Sequence, residues 1–390
     1  MPPEGRSEPE ASRAGSRVGP FRILSEIGSG GMGTVYRAHL EEVADGLPVG
    51  REVALKIVHA HLPGRPGFRA AFEREVEAGR RVRHPNVVPT HGMGVVETGG
   101  GALLYLSMDY VAGRTLRDVV RALGRVPETL LREIAVQTAA GLTAIHGAGL
   151  VHRDLKPENV LVSHDHDVRI TDLGVVRLIE ESQDLSGASR FAGSILYAAP
   201  EQFRGDKIGP AADLYSLGVL LYELASGENP FRRDGMMAVM RAHAEFKPPP
   251  LREGPHGISP FLAAVIAELL TKEPSGRFRS AVELADVLVE GEDSAWWAAR
   301  ERRLLESARS RPRLPVQRPT PLHGRQETLA ELERAWNAAA QGEGGTVLLL
   351  GEPGIGKTRL ADALLDAIAL EDVHVLYGSY APFAGGGGLS

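Results

Sequence analysis

A small strand-rich lobe followed by a larger helical one, an α+β arrangement, is implied by the order of the hydrophobic patterns. Short apolar runs bounded by glycine, proline and acidic loops fill residues 21–111, and apolar residues at three- and four-residue spacing dominate from Leu116 to Leu288. Beyond a basic, proline-containing stretch, a separate strand, glycine loop and helix pattern begins a partial α/β segment.

Composition narrows the function classes. The chain has 390 residues with 43% hydrophobic and 24% charged, an ordinary globular balance that excludes a mostly disordered protein. The net charge of −6 gives no overall cationic field for nucleic acid or anionic lipid. The absence of cysteine excludes disulfides, thiolate metal sites and Cys nucleophiles. No apolar run has the roughly 18 residues of a membrane span, and Met1–Arg17 lacks the apolar core of a signal peptide. These features describe a soluble cytoplasmic protein.

Residues 1–17 read as a disordered tail, because they have almost nothing apolar to offset ordering entropy. From Phe21 to Leu40, apolar runs flank Gly28, Gly30, Gly31 and Gly33, which predicts a hairpin with a glycine-rich turn. Residues 41–50 form a loop, Val53–Val58 the next strand, and Phe68–Arg83 a charged helix stopped by His84-Pro85. Runs at 87–96 and 102–111 complete the small lobe (18–111). In the large lobe (112–290), helices are expected at 116–123, 130–145, 214–224, 236–244, 260–270 and 281–288, with a loop-rich stretch over 152–200. Residues 291–321 read as a basic linker with a helix around Trp296-Trp297. Its seven arginines against two glutamates in 300–318 suit a solvated spacer better than a nucleic-acid patch. Segment 322–390 begins a new domain with a helix at 326–340, a strand at 347–350 and a helix at 359–370.

The chemistry lies in ordered motifs. Gly28-Ser29-Gly30-Gly31-Met32-Gly33 fits G-x-G-x-x-G, and the following Thr34-Val35-Tyr36 is strand-like, which suits a hairpin lid whose backbone amides approach phosphate oxygens. Lys56, inside Val53-Ala54-Leu55-Lys56, needs an anionic partner if it is buried. A nucleotide's phosphates, Glu75 or the nearby Glu73 would serve; on an edge strand it would simply point to water. His152-Arg153-Asp154-Leu155-Lys156-Pro157-Glu158-Asn159, Asp172-Leu173-Gly174 and Ala199-Pro200-Glu201 follow in order.

With these motifs the sequence resembles the eukaryotic-type (Hanks-type) Ser/Thr protein kinases of bacteria over residues 20–290. The resemblance implies a bilobal protein kinase fold and transfer of the γ-phosphoryl group of ATP to Ser/Thr hydroxyls of protein substrates. It assigns Lys56 to the α/β-phosphates, held by Glu75; Asp154 to the base; and Lys156 to the γ-phosphate. It makes Asn159 and Asp172 ligands of Mg²⁺, with Mn²⁺ as an alternative. Ile27, Val35, Ala54 and Leu161 would enclose adenine, with Met108 behind it and Asp109-Tyr110-Val111 as the hinge. Asp213 would anchor the catalytic loop, and Glu201 and Arg277 would pair. Two departures stand out: Leu173 replaces a commoner Phe, and Ser194 a commoner Thr; the loop at 41–52 is also longer than usual. Arg153 before Asp154 implies activation-loop phosphorylation. Among Ser182, Ser186, Ser189 and Ser194, the expected autophosphorylation site is Ser186 or Ser189, with dimerisation serving transfer between copies. The alternative reading is a pseudokinase scaffold regulating a fused signalling ATPase; the presence of Lys56, Asp154, Asn159 and Asp172 speaks against it.

A second constellation, Gly351-Glu352-Pro353-Gly354-Ile355-Gly356-Lys357-Thr358, fits G-x-x-x-x-G-K-[ST]. Loop amides cradle phosphates, Lys357 reaches the terminal ones and Thr358 holds Mg²⁺. Gly324-Arg325-Gln326 before a helix resembles the start of AAA- and STAND-type ATPase modules. The residues after Thr358 supply one helix and one strand (Val373–Tyr377) without an acidic Walker-B strand, so an incomplete module with weak nucleotide binding and no robust hydrolysis is expected.

Overall fold

The computed structural model describes residues 14–30, 33–60, 62–63, 68–98, 101–173, 194–206, 208–251, 257–310, 324–352 and 355–367. They divide into two compact units, 1–307 and 308–390.

The first unit opens with six strands: β1 (Arg17–Val18), β2 (Phe21–Gly30), β3 (Gly33–Leu40), β4 (Glu52–Val58), β5 (Thr90–Thr98) and β6 (Gly101–Asp109). They pair antiparallel in the order β1-β2-β3-β4-β6-β5. Alternation sends Val53, Leu55 and Ile57 to one apolar cluster with Phe21, Tyr36 and Tyr105. Ala54 and Val58 go to the opposite cluster, where helix α1 (Phe68–Arg81) contributes Phe68, Phe72 and Val76. Gly33 has no alternative in this hairpin: an added Cβ would lie 2.2 Å from the carbonyl oxygen of Ile57.

The second lobe contains α2 (Leu116–Leu123), α3 (Glu128–Gly147), α4 (Glu201–Arg204), α5 (Pro210–Ser226), α6 (Met236–Glu245), α7 (Pro260–Leu269) and α8 (Ala281–Glu290). Thr115 and Asp118 form a capping box on α2, and Ser259 and Ser280 cap α7 and α8. Helix α5 is buried on all sides from Ala212 to Ala225, as expected of the central helix of a lobe. The stretch read as loop over 152–200 also holds two short strands, β8 (Val160–Ser163) and β9 (Val168–Ile170), which form a small sheet with β7 (Gly113–Thr115), and 3₁₀ turns at Pro157–Asn159 and Ser194–Tyr197. Strands of four and three residues are too short for a period to register.

The helix expected around Trp296-Trp297 is α9 (Ala295–Ser310), and its first turns pack on the lobe. Trp297 is buried and meets Phe261 edge-on at 5.9 Å, Trp296 Nε1 donates to Glu268 (3.1 Å), and Arg300 pairs with Glu268 (2.9 Å). Two adjacent tryptophans bury too much apolar surface to belong to a solvated spacer.

His243 of α6 is fully buried, its ring tilted against that of Phe231 at 4.2 Å between centroids, with Nδ1 3.0 Å from the Tyr215 hydroxyl. Burial pushes its pKa down from 6.5 to about 3. The folded pKa is depressed, so the neutral ring stabilises fully above pH 6.5, and that contribution is lost as the pH falls toward 3. Urea unfolding between about pH 7 and 5 should show stability falling by up to about 1.4 kcal/mol per pH unit from this group. His243→Phe should flatten that slope; an unchanged slope would contradict the assignment.

In the second unit, α10 (Gln326–Ala340) and α11 (Lys357–Ala367) pack together through the buried Leu332 and Leu360. The strand expected at 347–350 is not formed: Val347, Leu348 and Leu350 are exposed. An extended segment needs a neighbour for its N–H and C=O groups, and none pairs with it among the described residues. Val373–Tyr377 lies outside the described residues.

Candidate active site

β4 lies between β3 and β6, so Lys56 is not on an edge strand. It shares the face of Ala54 and Val58, and its Nζ donates to Asp172 Oδ1 at 2.7 Å. Glu73 is turned to solvent in an ion pair with Arg69 (2.9 Å), which removes it as the partner of Lys56. Glu75 stands on α1, but its side chain lies outside the described residues.

Asp154, Lys156 and Asn159 come together on one loop. Lys156 Nζ donates to Asp154 Oδ2 at 2.7 Å. Asn159 donates through Nδ2 to the Asp154 carbonyl (2.8 Å) and to Asp154 Oδ2 (3.2 Å), bonds that do not use its Oδ1. The main chain of Asn159 accepts from Thr171 N (2.9 Å), so the residue next to Asp172 is tied to the loop carrying Asp154. His152 Nε2 adds a bond to the Thr171 carbonyl (2.9 Å). Arg153 and Asp172 both hold positive φ, 63° and 56°, a conformation costing about 1–3 kcal/mol per residue and kept only under constraint. The constraint on the first is Asp213, fully buried at the start of α5. Its carboxylate accepts from the backbone N–H of His152 and of Arg153, each at 2.7 Å, and contacts His146 Nε2 (2.8 Å).

Val35, Ala54, Met108, Val111 and Leu161 belong to one apolar cluster, the site expected to receive adenine; Leu161 reaches it from β8. Ile27 is half exposed and outside that cluster. Gly28, Ser29 and Gly30 pair across the hairpin with Val35, Thr34 and Gly33, and Ser29 Oγ lies 3.2 Å from Thr34 Oγ1. Gly31 and Met32 at the tip lie outside the described residues. At the hinge, the backbone N–H of Asp109 donates to the Pro89 carbonyl (3.0 Å). Leu173 fills the role of apolar plug, packing on the helical lobe's core and lining a small cavity with Val76, Gly79 and Met108. Gly79 makes room for it, since a Cβ there would stand 3.3 Å from Leu173 Cδ1. Gly174, Ser182, Ser186 and Ser189 lie outside the described residues, as does the side chain of Ser194.

Arg117 on α2 has no counterpart among the residues marked by the sequence motifs. It donates to Glu158 of the catalytic loop (2.7 Å), to Glu223 of α5 (2.8 Å) and to the Tyr197 hydroxyl, which also bonds Glu223. Nothing in an amphipathic helix marks one arginine as a bridge between three distant segments. Glu201 and Arg277 pair as expected, buried, at 2.6 and 3.0 Å.

In the second unit, Lys357 Nζ caps the carbonyls of Gly351 (2.6 Å) and Glu352 (2.9 Å), and Gly351 and Gly356 have φ of 158° and 95°. Pro353, Gly354 and the Thr358 side chain lie outside the described residues.

The comparisons with known proteins agree with this geometry. Residues 21–287 match the model of the protein kinase domain, and residues 321–385 that of an AAA ATPase domain. The chain is similar to serine/threonine-protein kinase PknB of Mycobacterium leprae, 35% identical over 269 residues, covering 69% of this chain and 42% of that protein. PknB of Mycobacterium tuberculosis H37Rv is 35% identical over 270 residues, with the same coverage. Serine/threonine-protein kinase PknA of Mycobacterium tuberculosis H37Ra is 34% identical over 271 residues, covering 69% of this chain and 61% of that protein. The chain thus spans less than two thirds of the length of each of these relatives.

Proposed function

The chain belongs to the protein kinase family, whose members use ATP and a divalent metal, and from that premise we propose that it phosphorylates serine and threonine hydroxyls of proteins in bacterial signalling. The observation that carries the reading is Asn159: its side chain holds Asp154, and its main chain holds Thr171 beside Asp172. One residue thereby joins the candidate base to the candidate metal ligand.

The donor set suits Mg²⁺ or Mn²⁺. Asn159 Oδ1 and the Asp172 carboxylate are hard oxygen donors, and Mg²⁺ ordinarily takes only one or two protein ligands, completed by phosphate and water. When bound, the ion neutralises charge on the β- and γ-phosphates. Lys56, already aimed at Asp172, would bind the α/β-phosphates, and Lys156 the γ-phosphate. The acceptor oxygen attacks the γ-phosphorus in line; the bond to the β–γ bridging oxygen breaks, and the hydroxyl proton passes to Asp154. Glu75 keeps its proposed place beside Lys56. The cleft glycines, with Ile27, Val35, Ala54, Met108, Asp109, Val111 and Leu161, would hold the nucleotide.

No helix among the described residues is long and apolar enough to cross a membrane; the location proposed, where ATP is supplied, is the cytoplasm. Self-modification of Ser186 or Ser189, with two copies meeting for the transfer, belongs to the same proposal. Gly351, Gly356, Lys357 and Thr358 are proposed as a second, weak nucleotide site. Incubation with γ-labelled ATP and mapping of the labelled residues by mass spectrometry tests the reading. Label on serine or threonine is expected, and an unmodified 174–193 segment in an active preparation would remove the self-modification.

A further inference from the structure

The connection between β3 and β4, residues 41–51, grips the strand that leads into the hinge. It contains a miniature hairpin: Ala44 bridges Leu47, Leu47 N donates to Ala44 O (2.8 Å), and the two central residues, Asp45 and Gly46, have φ of 54° and 75°. Positive φ at both positions is the mark of a type I′ turn, for which Asp-Gly is a preferred pair. Ala44 and Leu47 rest on the outer apolar cluster of the sheet.

The turn presents the Asp45 carboxylate to β6. The hydroxyl of Ser107, a fully buried residue, donates to Asp45 Oδ2 at 2.7 Å. Gly92 on β5 leaves the space: a Cβ there would stand 2.2 Å from Asp45 Oδ1. The β5–β6 register shifts at this point, with Thr90 opposite Met108 and Gly92 opposite Ser107, so His91 is bulged out of the ladder. Its Nε2 reaches Asp109 Oδ1 at 2.8 Å, and Arg51 Nη2, at the far end of the same connection, reaches that oxygen at 3.0 Å.

The connection therefore holds β6 at Ser107 and at Asp109. Alternation puts Met108, between them, on the opposite face, where it lines the apolar cluster with Ala54, Val35 and Leu161. None of Asp45, Arg51, Ser107 or His91 belongs to that cluster. We infer that residues 41–51 form a strap that sets the position of the hinge for the nucleotide, with Asp45 and Arg51 as positioning residues. The inference rests on the proposed kinase reading of the cleft. A charged acceptor on a buried hydroxyl is among the stronger hydrogen bonds, and losing it leaves the Ser107 hydroxyl without that partner.

The test compares wild type, Asp45→Ala and Asp45→Asn. It measures KM for Mg-ATP, kcat, affinity for a fluorescent ADP analogue and thermal stability. Asp45→Ala is expected to raise KM about three- to tenfold and weaken the analogue in parallel, with kcat within about twofold of wild type. Asp45→Asn, which keeps an acceptor oxygen, should restore most of the affinity. Unchanged KM and analogue affinity in Asp45→Ala would overturn the strap. So would a loss of thermal stability with no change in affinity, the mark of a merely structural role. If wild type binds the analogue but transfers no phosphate, the kinase reading fails, and the binding arm alone still decides the strap. If wild type binds no nucleotide, both fall.

Discussion

Replacing Asp154 by Asn is expected to lower kcat for phosphoryl transfer by about 10²–10⁴ while leaving nucleotide affinity within a few-fold of wild type. The substitution keeps the side chain's shape while removing its charge and its ability to take the hydroxyl proton. The loop around it is also held by bonds that do not use the carboxylate. Asn159 also holds the Asp154 carbonyl (2.8 Å), and Asp213 holds the backbone N–H groups of His152 and Arg153 at 2.7 Å each. The bond most changed is that of Lys156 Nζ, which loses a charged acceptor at 2.7 Å but can still turn toward phosphate. Steady-state turnover and binding of a fluorescent ADP analogue, measured on the same preparation, separate the two effects. A variant that turns over at more than about a tenth of the wild-type rate would deny Asp154 the role of base.

Arg277→Ala is expected to cost about 3–5 kcal/mol of stability, the range found when one partner of a buried ion pair is removed. Arg277 is buried and makes two bonds to Glu201, at 2.6 and 3.0 Å. It also donates to the carbonyls of Thr271 (2.8 Å), Lys272 (2.9 Å) and Ala211 (2.7 Å). The alanine leaves a buried carboxylate and three carbonyls without this donor. Replacing both partners by apolar groups, Glu201→Leu with Arg277→Met, removes the stranded charge and should recover part of the loss. Urea unfolding of the three proteins checks this. A loss under about 1 kcal/mol for Arg277→Ala would mean that the pair is no more than a surface bridge.

The glycine hairpin, the Lys56 strand and the catalytic loop were legible because their chemistry lies in local spacing. Gly33 is required by a carbonyl on the neighbouring strand, and the motif that contains it is six residues long. Helix α3 announces itself by apolar period, its buried residues recurring at three- and four-residue spacing. Asp213 and Arg277 could be assigned through family resemblance, not through pattern, since the backbone of His152 and Arg153 and the carboxylate of Glu201 lie 60 or more residues away from them. Lys56 needed an anion, but spacing could not decide which; the bond seen among the described residues is to Asp172, and the side chain of Glu75 lies outside them. Arg117, the bulge at His91 and the reach of Asp45 to Ser107 are contacts between residues whose own neighbourhoods look ordinary. Residues 41–50 were readable as a loop, while the target of Asp45, 62 residues on, was not. The helix around Trp296-Trp297 was expected, but its docking on Phe261 was not, because that partner lies more than 30 residues away. Strand 347–350 failed because apolar sequence alone does not supply a pairing neighbour.

Everything proposed for the cleft rests on Lys56, Asp154, Asn159 and Asp172 acting together on the outer phosphates of a nucleotide. The direct measurement is transfer of label from γ-labelled ATP to a basic protein acceptor in the presence of Mg²⁺, with identification of the labelled amino acids. Phosphoserine and phosphothreonine are expected, and both should disappear in Asp154→Asn. Wild-type protein that binds nucleotide yet labels no hydroxyl, with Mg²⁺ or Mn²⁺, would contradict the account.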